Sequence, residues 1–435
     1  MPSDLAAQLE TRLRARRLLE FPVTWNDELI FPAYHGLSIL NVAATIGALF
    51  GVETSPPLDE AVWQGENPFG QVQRVVLFVS DGLGYKWLRQ MMDEDVAVNE
   101  AVGDLTDGRG ALPLTSIVPS TTVVALPTLW TAVPPLQHGM IGTLMYLREV
   151  SMLANMLRFG PALGPSAPGT LEQAGLLPEA FIPLPTLPQR LLEVGVETHL
   201  LLAEGLINTG LSRLMHRGVT HKHGHRLFSD LWLRLKDVLK ATVGQRCYIS
   251  VYWDGVDSLS HYYGAHNAYL RQEIAMQLQL LRGVLNDPAV RDGQTLFMLI
   301  ADHGHHDVQT AVDLTTEPVG QSIAAALRAM PSGDRRFSYL HLQPEMRPQV
   351  EQALAAHYSD RFAWAAPRTA AEAGLFGSGT PHPEFFARAG DLLMTLRLGS
   401  SLISPAKPHK PGPLHSMHAG LTDWEMLVPL LWRRL

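Results

Sequence analysis

Near-continuous apolar runs alternate with amphipathic segments along most of this 435-residue chain. The runs Arg74–Ser80, Cys247–Trp253 and 295–301 are rich in β-branched residues, a pattern typical of strands buried on both faces of a parallel sheet. Segments with one polar and one apolar side predict helices over 228–242 and 268–284. Strands that alternate with helices predict a doubly wound α/β fold, with a mostly parallel central sheet flanked by helices.

Two segments interrupt this alternation and divide the chain. Residues 144–185 are rich in Pro, Gly, Met and Leu and are interpreted as an insertion lying over the sheet edge. Residues 335–396 combine two strand patterns with one helix pattern and predict a small α+β subdomain. Residues 1–70 are interpreted as a helical and irregular segment packed on the core, which is then formed by 71–334 and 397–435.

Composition excludes several classes of protein. Hydrophobic residues make up 46% and charged residues 17% of the chain, and the net charge is −8. These values predict a globular protein without a nucleic-acid-coating surface. No segment approaches the ~18–20 uninterrupted apolar residues of a membrane span, and the N-terminal residues lack the apolar region of a secretory signal. With a single cysteine, Cys247, the chain is expected to be cytoplasmic.

Three consecutive hydroxyl side chains, Ser120, Thr121 and Thr122, follow a predicted strand at 114–118. An apolar helix pattern comes after them. Ser and Thr accept hydrogen bonds from free N–H groups at helix N-termini, so an ordinary helix cap explains this stretch when it is taken alone. A hydroxyl at that position also lies at the positive end of the helix dipole, where anions bind. Both interpretations stay open at this level.

Carboxylates and imidazoles recur where the predicted strands end. Asp81 follows the first apolar run, and Asp302 and His303 follow the run at 295–301. Asp257 and His261 are four residues apart, which on a helix places both side chains on one face. His418 precedes an apolar C-terminal segment. Each of these features alone is also compatible with a capping or solvated side chain.

Other histidines are given no ligand role. The densest cluster, HKHGHR at 221–226, has no predicted strand end beside it and is interpreted as a solvated loop. His305 and His306 are interpreted as residues behind the ligands or at the surface, and His415 is left without a role.

Ligands of a parallel sheet collect beyond the carboxyl ends of its strands, so these side chains are expected to meet. Together, the three carboxylates, three histidines and one hydroxyl suit two divalent metal ions, and zinc is the metal expected for His nitrogen and Asp oxygen. Two ions about 4 Å apart stabilise the attacking and leaving oxygens of a phosphoryl displacement. Coordination to a metal also activates a threonine hydroxyl as a nucleophile.

Five segments resemble the type I phosphodiesterase/nucleotide pyrophosphatase family of the alkaline phosphatase superfamily. They are VVLFVSDGLG, PSTTVVALPTLWTAVPPLQHGMIG, YWDGVDSLSHYYG, IADHGHH and HAGLTDWEMLVPLL, and they occur in the family's order between residues 74 and 435. The resemblance implies a two-zinc hydrolase that acts on a small phosphate ester through a phosphothreonine. It implies one zinc at Asp257, His261 and His418. It implies the other at Asp81, Asp302, His303 and the nucleophile Thr122.

One position departs from the family pattern. Members that cleave nucleotides have an asparagine shortly after the His-Gly pair, and Thr143 stands there in this chain. We expect Thr143 to contact the substrate phosphate with one donated hydrogen bond. Phosphomonoesterase, phosphonate hydrolase and phosphoglycerate-type isomerase activities remain alternatives on the same core, although no Arg near Thr122 is evident for a monoester. A non-catalytic metal-containing binding protein is the alternative outside enzymes.

Overall fold

The computed structural model describes residues 2–164, 169–397, 399–404 and 415–435. Its strands are β1 Arg74–Ser80, β2 Leu112–Thr115, β3 Leu144–Leu147, β4 Met152–Asn155, β5 Gly160–Pro161, β6 Glu197–Ala203, β7 His221–His225, β8 Cys247–Trp253, β9 Thr295–Ile300, β10 His306–Asp307, β11 Thr310–Asp313, β12 Leu327–Gly333, β13 Phe337–Leu342, β14 Phe362–Ala365, β15 Leu392–Leu396, β16 Ser400–Ile403, β17 Ser416–Met417 and β18 Leu427–Arg434.

Its α-helices are α1 Pro2–Arg14, α2 Val23–Asn26, α3 Ile39–Leu49, α4 Tyr85–Glu94, α5 Val96–Leu105, α6 Thr122–Thr131, α7 Pro135–His138, α8 Thr170–Gln173, α9 Pro178–Phe181, α10 Leu187–Glu193, α11 Gly210–Met215, α12 Phe228–Ala241, α13 Gly255–Tyr263, α14 Ala268–Leu285, α15 Pro318–Ala325, α16 Arg347–His357, α17 Pro367–Glu372, α18 Phe385–Ala389 and α19 Asp423–Met426.

A seven-stranded sheet forms the centre of the molecule, in the order β2–β18–β9–β1–β8–β6–β7. From β9 to β7 all neighbouring strands run parallel, whereas β18 is antiparallel to both β2 and β9. Every side chain of β1 and β9 is buried, which explains why both strands are almost continuously apolar. The mostly parallel α/β sheet that the sequence predicts is therefore confirmed.

Strand β2 differs from its prediction at 114–118, because it covers Leu112–Thr115. After Thr115 the chain leaves the ladder of the central sheet. The backbone N–H of Ser116 donates to the carbonyl of Met426 at 2.7 Å, and its hydroxyl donates to the carbonyl of Asp302 at 2.5 Å. These bonds carry the following residues towards the end of β9.

The prediction of a solvated loop at 221–226 is wrong. Residues His221–His225 form β7, which pairs in parallel with β6 at the edge of the central sheet. An edge strand has one neighbour and exposes much of its surface, so it needs few apolar residues and tolerates charged ones. This is why the segment lacks the apolar signature of the inner strands.

A second seven-stranded sheet lies beside the central one, in the order β14–β15–β13–β12–β3–β4–β5. Strands β3 to β5 come from residues 144–185, and β13 to β15 come from residues 335–396. Strand β12 precedes the second segment and connects the two, since it pairs with β13 on one side and with β3, at Gly333 and Leu144, on the other. The division into an insertion and a subdomain stays a prediction about folding units, whereas the hydrogen bonds connect both segments in one sheet.

The N-terminal segment is anchored to the core by backbone contacts. The N–H of Ile30 donates to the carbonyl of Leu421 at 2.7 Å, and the N–H of Ala33 donates to the hydroxyl of Thr115 at 2.9 Å. None of the helices in the described ranges combines the length and the apolarity needed to cross a membrane.

Candidate metal centre and active site

The carboxyl ends of β1, β8 and β9 converge on one cluster of polar side chains. Asp81 follows β1 directly, helix α13 begins after β8, and Asp302 and His303 lie just beyond β9. His418 directly follows the short strand β17. The structure thus brings together all seven side chains predicted as ligands or nucleophile, namely Asp81, Thr122, Asp257, His261, Asp302, His303 and His418.

The first group of candidate ligands consists of Asp81, Asp302 and His303, each with one ligand atom within 4.8 Å of the others. His303 Nε2 lies 3.3 Å from Asp81 Oδ1 and 3.5 Å from Asp302 Oδ2. The hydroxyl of Thr122 faces the same group, at 3.2 Å from His303 Nε2 and 3.4 Å from Asp81 Oδ2. Thr122 is therefore in reach of anything held between these three side chains.

The second group consists of Asp257, His261 and His418, whose ligand atoms also lie within 4.8 Å of one another. Asp257 is in the first turn of α13 and His261 in its last turn, as the four-residue spacing predicts. Asp257 Oδ1 is 3.4 Å from His261 Nε2 and 3.7 Å from His418 Nε2.

All three imidazoles turn the same nitrogen into the site. The Nδ1 atoms of His303, His261 and His418 each lie 2.9–3.2 Å from a backbone carbonyl, those of Gly304, Ser416 and Ser120 respectively. A carbonyl only accepts hydrogen bonds, so Nδ1 carries the proton and Nε2 presents a lone pair to the carboxylates. Metal-binding histidines are oriented in this manner by their other nitrogen.

The chemistry of these side chains suits a bound cation. Asp81 Oδ1 and Asp302 Oδ2 are buried and have no hydrogen-bond partner among the described residues. Burial and the nearby Asp302 raise the pKa of Asp81 well above its usual range, and burial raises the pKa of Asp302 to about 6. Burial also lowers the pKa of His303 to about 3, which keeps its Nε2 unprotonated. Crowded carboxylates opposite unprotonated nitrogens are a donor set for divalent metal ions.

Two glycines allow the strand-end turns to approach so closely. Gly82 has a φ of 79°, and a Cβ there would come within 2.9 Å of Asp257 Cα. At Gly304 a Cβ would lie 2.1 Å from the carbonyl oxygen of Trp424. Side chains at either position would push the ligand-bearing turns apart.

The three candidate hydroxyls have separate roles in the structure. Thr121 is the N-cap of α6, without a capping bond from its side chain, and Thr122 is the first residue of the helix. Ser120 donates its hydroxyl hydrogen bond to the carbonyl of Gly420 at 2.7 Å. Among the three, Thr122 is the one whose hydroxyl contacts the first group of candidate ligands.

Two further side chains contact the candidate ligands: Tyr252, to which the sequence analysis assigned no role, and His305, which was interpreted as lying behind the ligands or at the surface. The hydroxyl of Tyr252, in β8, donates a hydrogen bond to Asp81 Oδ2. His305 is buried, with Nε2 at 2.8 Å from Asp257 Oδ1 and Nδ1 at 2.8 Å from the hydroxyl of Ser416. Each orients a carboxylate of one ligand group. A buried strand tyrosine has the sequence signature of a core residue, so the pattern carried no signal for Tyr252.

We expect Tyr252→Phe to weaken zinc binding at the Asp81 group about 10- to 100-fold, the usual effect of removing a partner of a metal ligand. The ring stays, so the protein should fold normally. Competition with a chromophoric chelator measures the affinity. Tyr248→Phe removes another buried phenol from the same strand and serves as the control. Equal zinc affinity in the Tyr252 variant and the wild type would contradict this role.

The loop that carries His418 is held by a buried ion pair. Glu425 accepts from the N–H of Gly420 at 2.8 Å and from Arg336 at 2.6 and 3.0 Å. Both charged side chains are fully buried. Ala419 adopts a φ of 91°, which is costly for a residue with a Cβ and is maintained here by these surrounding contacts.

A cavity of about 610 Å³ opens in front of Thr122. One part of its wall is apolar and includes Leu126, Trp130, Leu206, Leu211 and Met215. Thr143 lines the cavity, and its backbone N–H donates to Asp334 Oδ2 at 3.0 Å. Arg158 and Arg335 line the same cavity. The sequence argument named neither arginine, because each lies in another segment of the chain than Thr122.

Three polar residues near the cluster lie outside both ligand groups. Asp254 lines the cavity but belongs to none of the ligand groups among the described residues. His306 directs Nδ1 to the carbonyl of Asp307 at 3.0 Å, and His415 is exposed.

Comparisons with known proteins show the fold of this chain. Neither a family model nor a curated protein matches its sequence. The solved structure of murine ectonucleotide pyrophosphatase/phosphodiesterase 5 matches with a TM-score of 0.61 and 12% identity, over 83% of this chain and 88% of that chain. Phosphonoacetate hydrolase from Sinorhizobium meliloti 1021, in complex with phosphonoformate, matches with a TM-score of 0.60 and 17% identity, over 84% and 90% of the two chains. The predicted alkaline-phosphatase-like fold is therefore confirmed.

Proposed function

We propose that this protein is a metal-dependent phosphoester hydrolase that cleaves phosphodiesters through Thr122. The observation that carries the proposal is the position of the Thr122 hydroxyl. It lies at the N-terminus of α6, against Asp81 and His303, at the wall of the cavity. A threonine that only begins a helix has no need of a carboxylate and an imidazole beside its hydroxyl.

The residues of the cluster would have two kinds of role, as metal ligands and as the nucleophile. Asp81, Asp302 and His303 would hold one divalent ion beside Thr122, and Asp257, His261 and His418 would hold a second. Bound zinc ions would lower the pKa of the hydroxyl and neutralise charge on the phosphoryl oxygens. Thr122 Oγ1 attacks phosphorus, the P–O bond to the leaving group breaks, and water then hydrolyses the phosphothreonine.

The start of α6 contributes to binding of the phosphoryl group. N–H groups in the first turn of a helix point outward along its axis, where the dipole favours an anion. Phosphates bind at such helix ends in many proteins. Thr143 lines the same cavity, so we propose that its hydroxyl donates to a phosphate oxygen. The apolar wall at Leu126 and Trp130 fits a substrate with an apolar portion.

A second candidate function is hydrolysis of a small phosphonate or a phosphomonoester. It is favoured by Arg158 and Arg335, which line the cavity and would pair with a charge that a diester lacks. One of the similar structures is a phosphonoacetate hydrolase bound to phosphonoformate. A small phosphonate of this kind carries a second anionic group beside its phosphorus atom, with which an arginine could pair.

A substrate panel decides between these functions. With zinc present, we expect turnover of bis-p-nitrophenyl phosphate to exceed that of p-nitrophenyl phosphate and of phosphonoacetate. A chelator should abolish the activity and added zinc should restore it, because all the proposed chemistry depends on the metal ligands. Preference for phosphonoacetate would support the second candidate. Stoichiometric zinc without turnover of any substrate would contradict both and favour a binding protein.

A further inference from the structure

A second cluster of histidines lies at the edge of the central sheet, away from Thr122. Strands β6 and β7 pair in register there, with His199 opposite His221 and Leu201 opposite His223. Side chains alternate between the two faces of a strand. Leu200 and Leu202 line the cavity, so Glu197 and His199, which alternate with them, project from the opposite face of the sheet.

The side chains of this cluster are close enough to share one ion. Glu197, His199 and His221 each offer a ligand atom within 4.8 Å of the others. His221 Nε2 lies 3.0 Å from Glu197 Oε2, and the rings of His199 and His221 stack with their centroids 4.4 Å apart. Two imidazoles and a carboxylate are the donor set of many zinc sites that keep a further position for water.

An unsatisfied buried nitrogen points to a ligand in this cluster. His199 is only 8% exposed, and its Nε2 has no hydrogen-bond partner among the described residues. Its Nδ1 lies 3.1 Å from His223 Nε2. If Nδ1 carries the proton and donates to His223, Nε2 presents its lone pair, the arrangement by which a neighbouring group orients a metal-binding histidine.

We propose that Glu197, His199 and His221 form a binding site for a divalent transition-metal ion such as zinc, with His223 as the residue that positions His199. Burial and the neighbouring His221 lower the pKa of His199 to about 4, so the ring is neutral at physiological pH, as a metal requires. The ligands come from both β6 and β7. A bound ion therefore holds the edge strand β7 to its neighbour β6.

Zinc binding by the full-length protein tests this site. The protein is dialysed against buffers of increasing free zinc, and the metal bound per chain is counted by mass spectrometry. We expect the wild type to bind one ion more than His221→Ala and Glu197→Gln, whose altered side chains are partly exposed. His223→Ala should bind that ion about 10- to 100-fold more weakly. Zinc should also raise the melting temperature of the wild type further than that of His221→Ala.

The matched control is His357→Ala, which removes an exposed histidine from the end of α16. It should bind as much zinc as the wild type, and diester hydrolysis should be equal in all these variants. If His221→Ala fails to fold, Glu197→Gln decides the question, since it keeps the shape of the side chain. The same number of zinc ions in the wild type and in both ligand variants would overturn the proposal.

Discussion

Thr122→Ala is expected to abolish hydrolysis of bis-p-nitrophenyl phosphate, lowering kcat by on the order of 10^4-fold or more, while the zinc content stays nearly unchanged. The hydroxyl is the proposed nucleophile, so without it no phosphothreonine can form. Zinc should remain, because the variant keeps Asp81, Asp302 and His303, the proposed ligands of the first ion. Steady-state kinetics and metal analysis of the same preparation measure both quantities.

The neighbouring threonine provides the control for this experiment. Thr121 lines the same cavity and makes no side-chain capping bond. Its hydroxyl is absent from the contacts of the ligand groups. Thr121→Ala therefore removes the same atoms one residue away and should retain most of the activity. Undiminished turnover by Thr122→Ala would show that another group attacks phosphorus.

Asp302→Asn is expected to abolish activity and zinc binding at the first group, and at the same time to stabilise the metal-free protein. Burial raises the pKa of Asp302 to about 6, above its value in the unfolded chain. The metal-free wild type therefore loses stability as the pH rises from about 4 through 6, by about 1.4 kcal/mol for each pKa unit of displacement. An asparagine cannot ionise, so the variant does not lose stability in this way as the pH rises.

The measurement is urea unfolding of chelator-treated protein at pH 4.5 and 7.5. The free energy of unfolding of Asp302→Asn, relative to the wild type, should increase between these pH values. Taking this difference cancels the titration of the many buried histidines, which both proteins share. Added zinc should reverse the order of stability at pH 7.5, since the wild type binds the metal more tightly.

Asp423→Asn serves as the control. Its free energy of unfolding, relative to the wild type, should change with pH in the opposite direction. Burial opposes ionisation of Asp423, but hydrogen bonds from Lys86 and Arg14 lower its pKa overall. Its contribution to stability is therefore present above the unfolded pKa and is lost in acid. This variant should lose stability relative to the wild type as the pH rises. If the free energies of unfolding of both variants, relative to the wild type, changed with pH in the same direction, Asp302 would not belong to a cluster of carboxylates that repel one another.

Sequence patterns predicted the parts of the fold that depend on local burial. Strands β1 and β8 have the predicted bounds, because strands buried on both faces must be apolar throughout. The pairing of strands is not local, and the sequence carried no sign that β3 to β5 join β12 to β15 in one sheet. Strand β18 was missed as well, since its apolar run contains Pro429 and its neighbours β2 and β9 are far away in the chain.

The sequence predicted which carboxylates and histidines meet at the candidate site, but not the contacts that the residues behind them make. Spacing and position at strand ends suffice for Asp257 and His261, because both lie on one short helix. His305 contacts Asp257 only because the turn after β9 folds against α13, and Tyr252 resembles any other buried aromatic residue. Arg158 and Arg335 reach the cavity from separate segments. Residues whose role depends on the meeting of distant segments leave no pattern in the chain.

The ion pair between Arg336 and Glu425 limits which segments of this protein can be exchanged for those of proteins with a similar structure. Although burial opposes it, Arg336 lowers the pKa of Glu425 to about 2, so the carboxylate is ionised inside the protein. A chimera that exchanged the strands around Arg336 for those of another protein would leave this charge unpaired, at a cost of about 3–5 kcal/mol. Replacing the second sheet of this protein by that of another therefore requires the donor to supply an arginine at the same place.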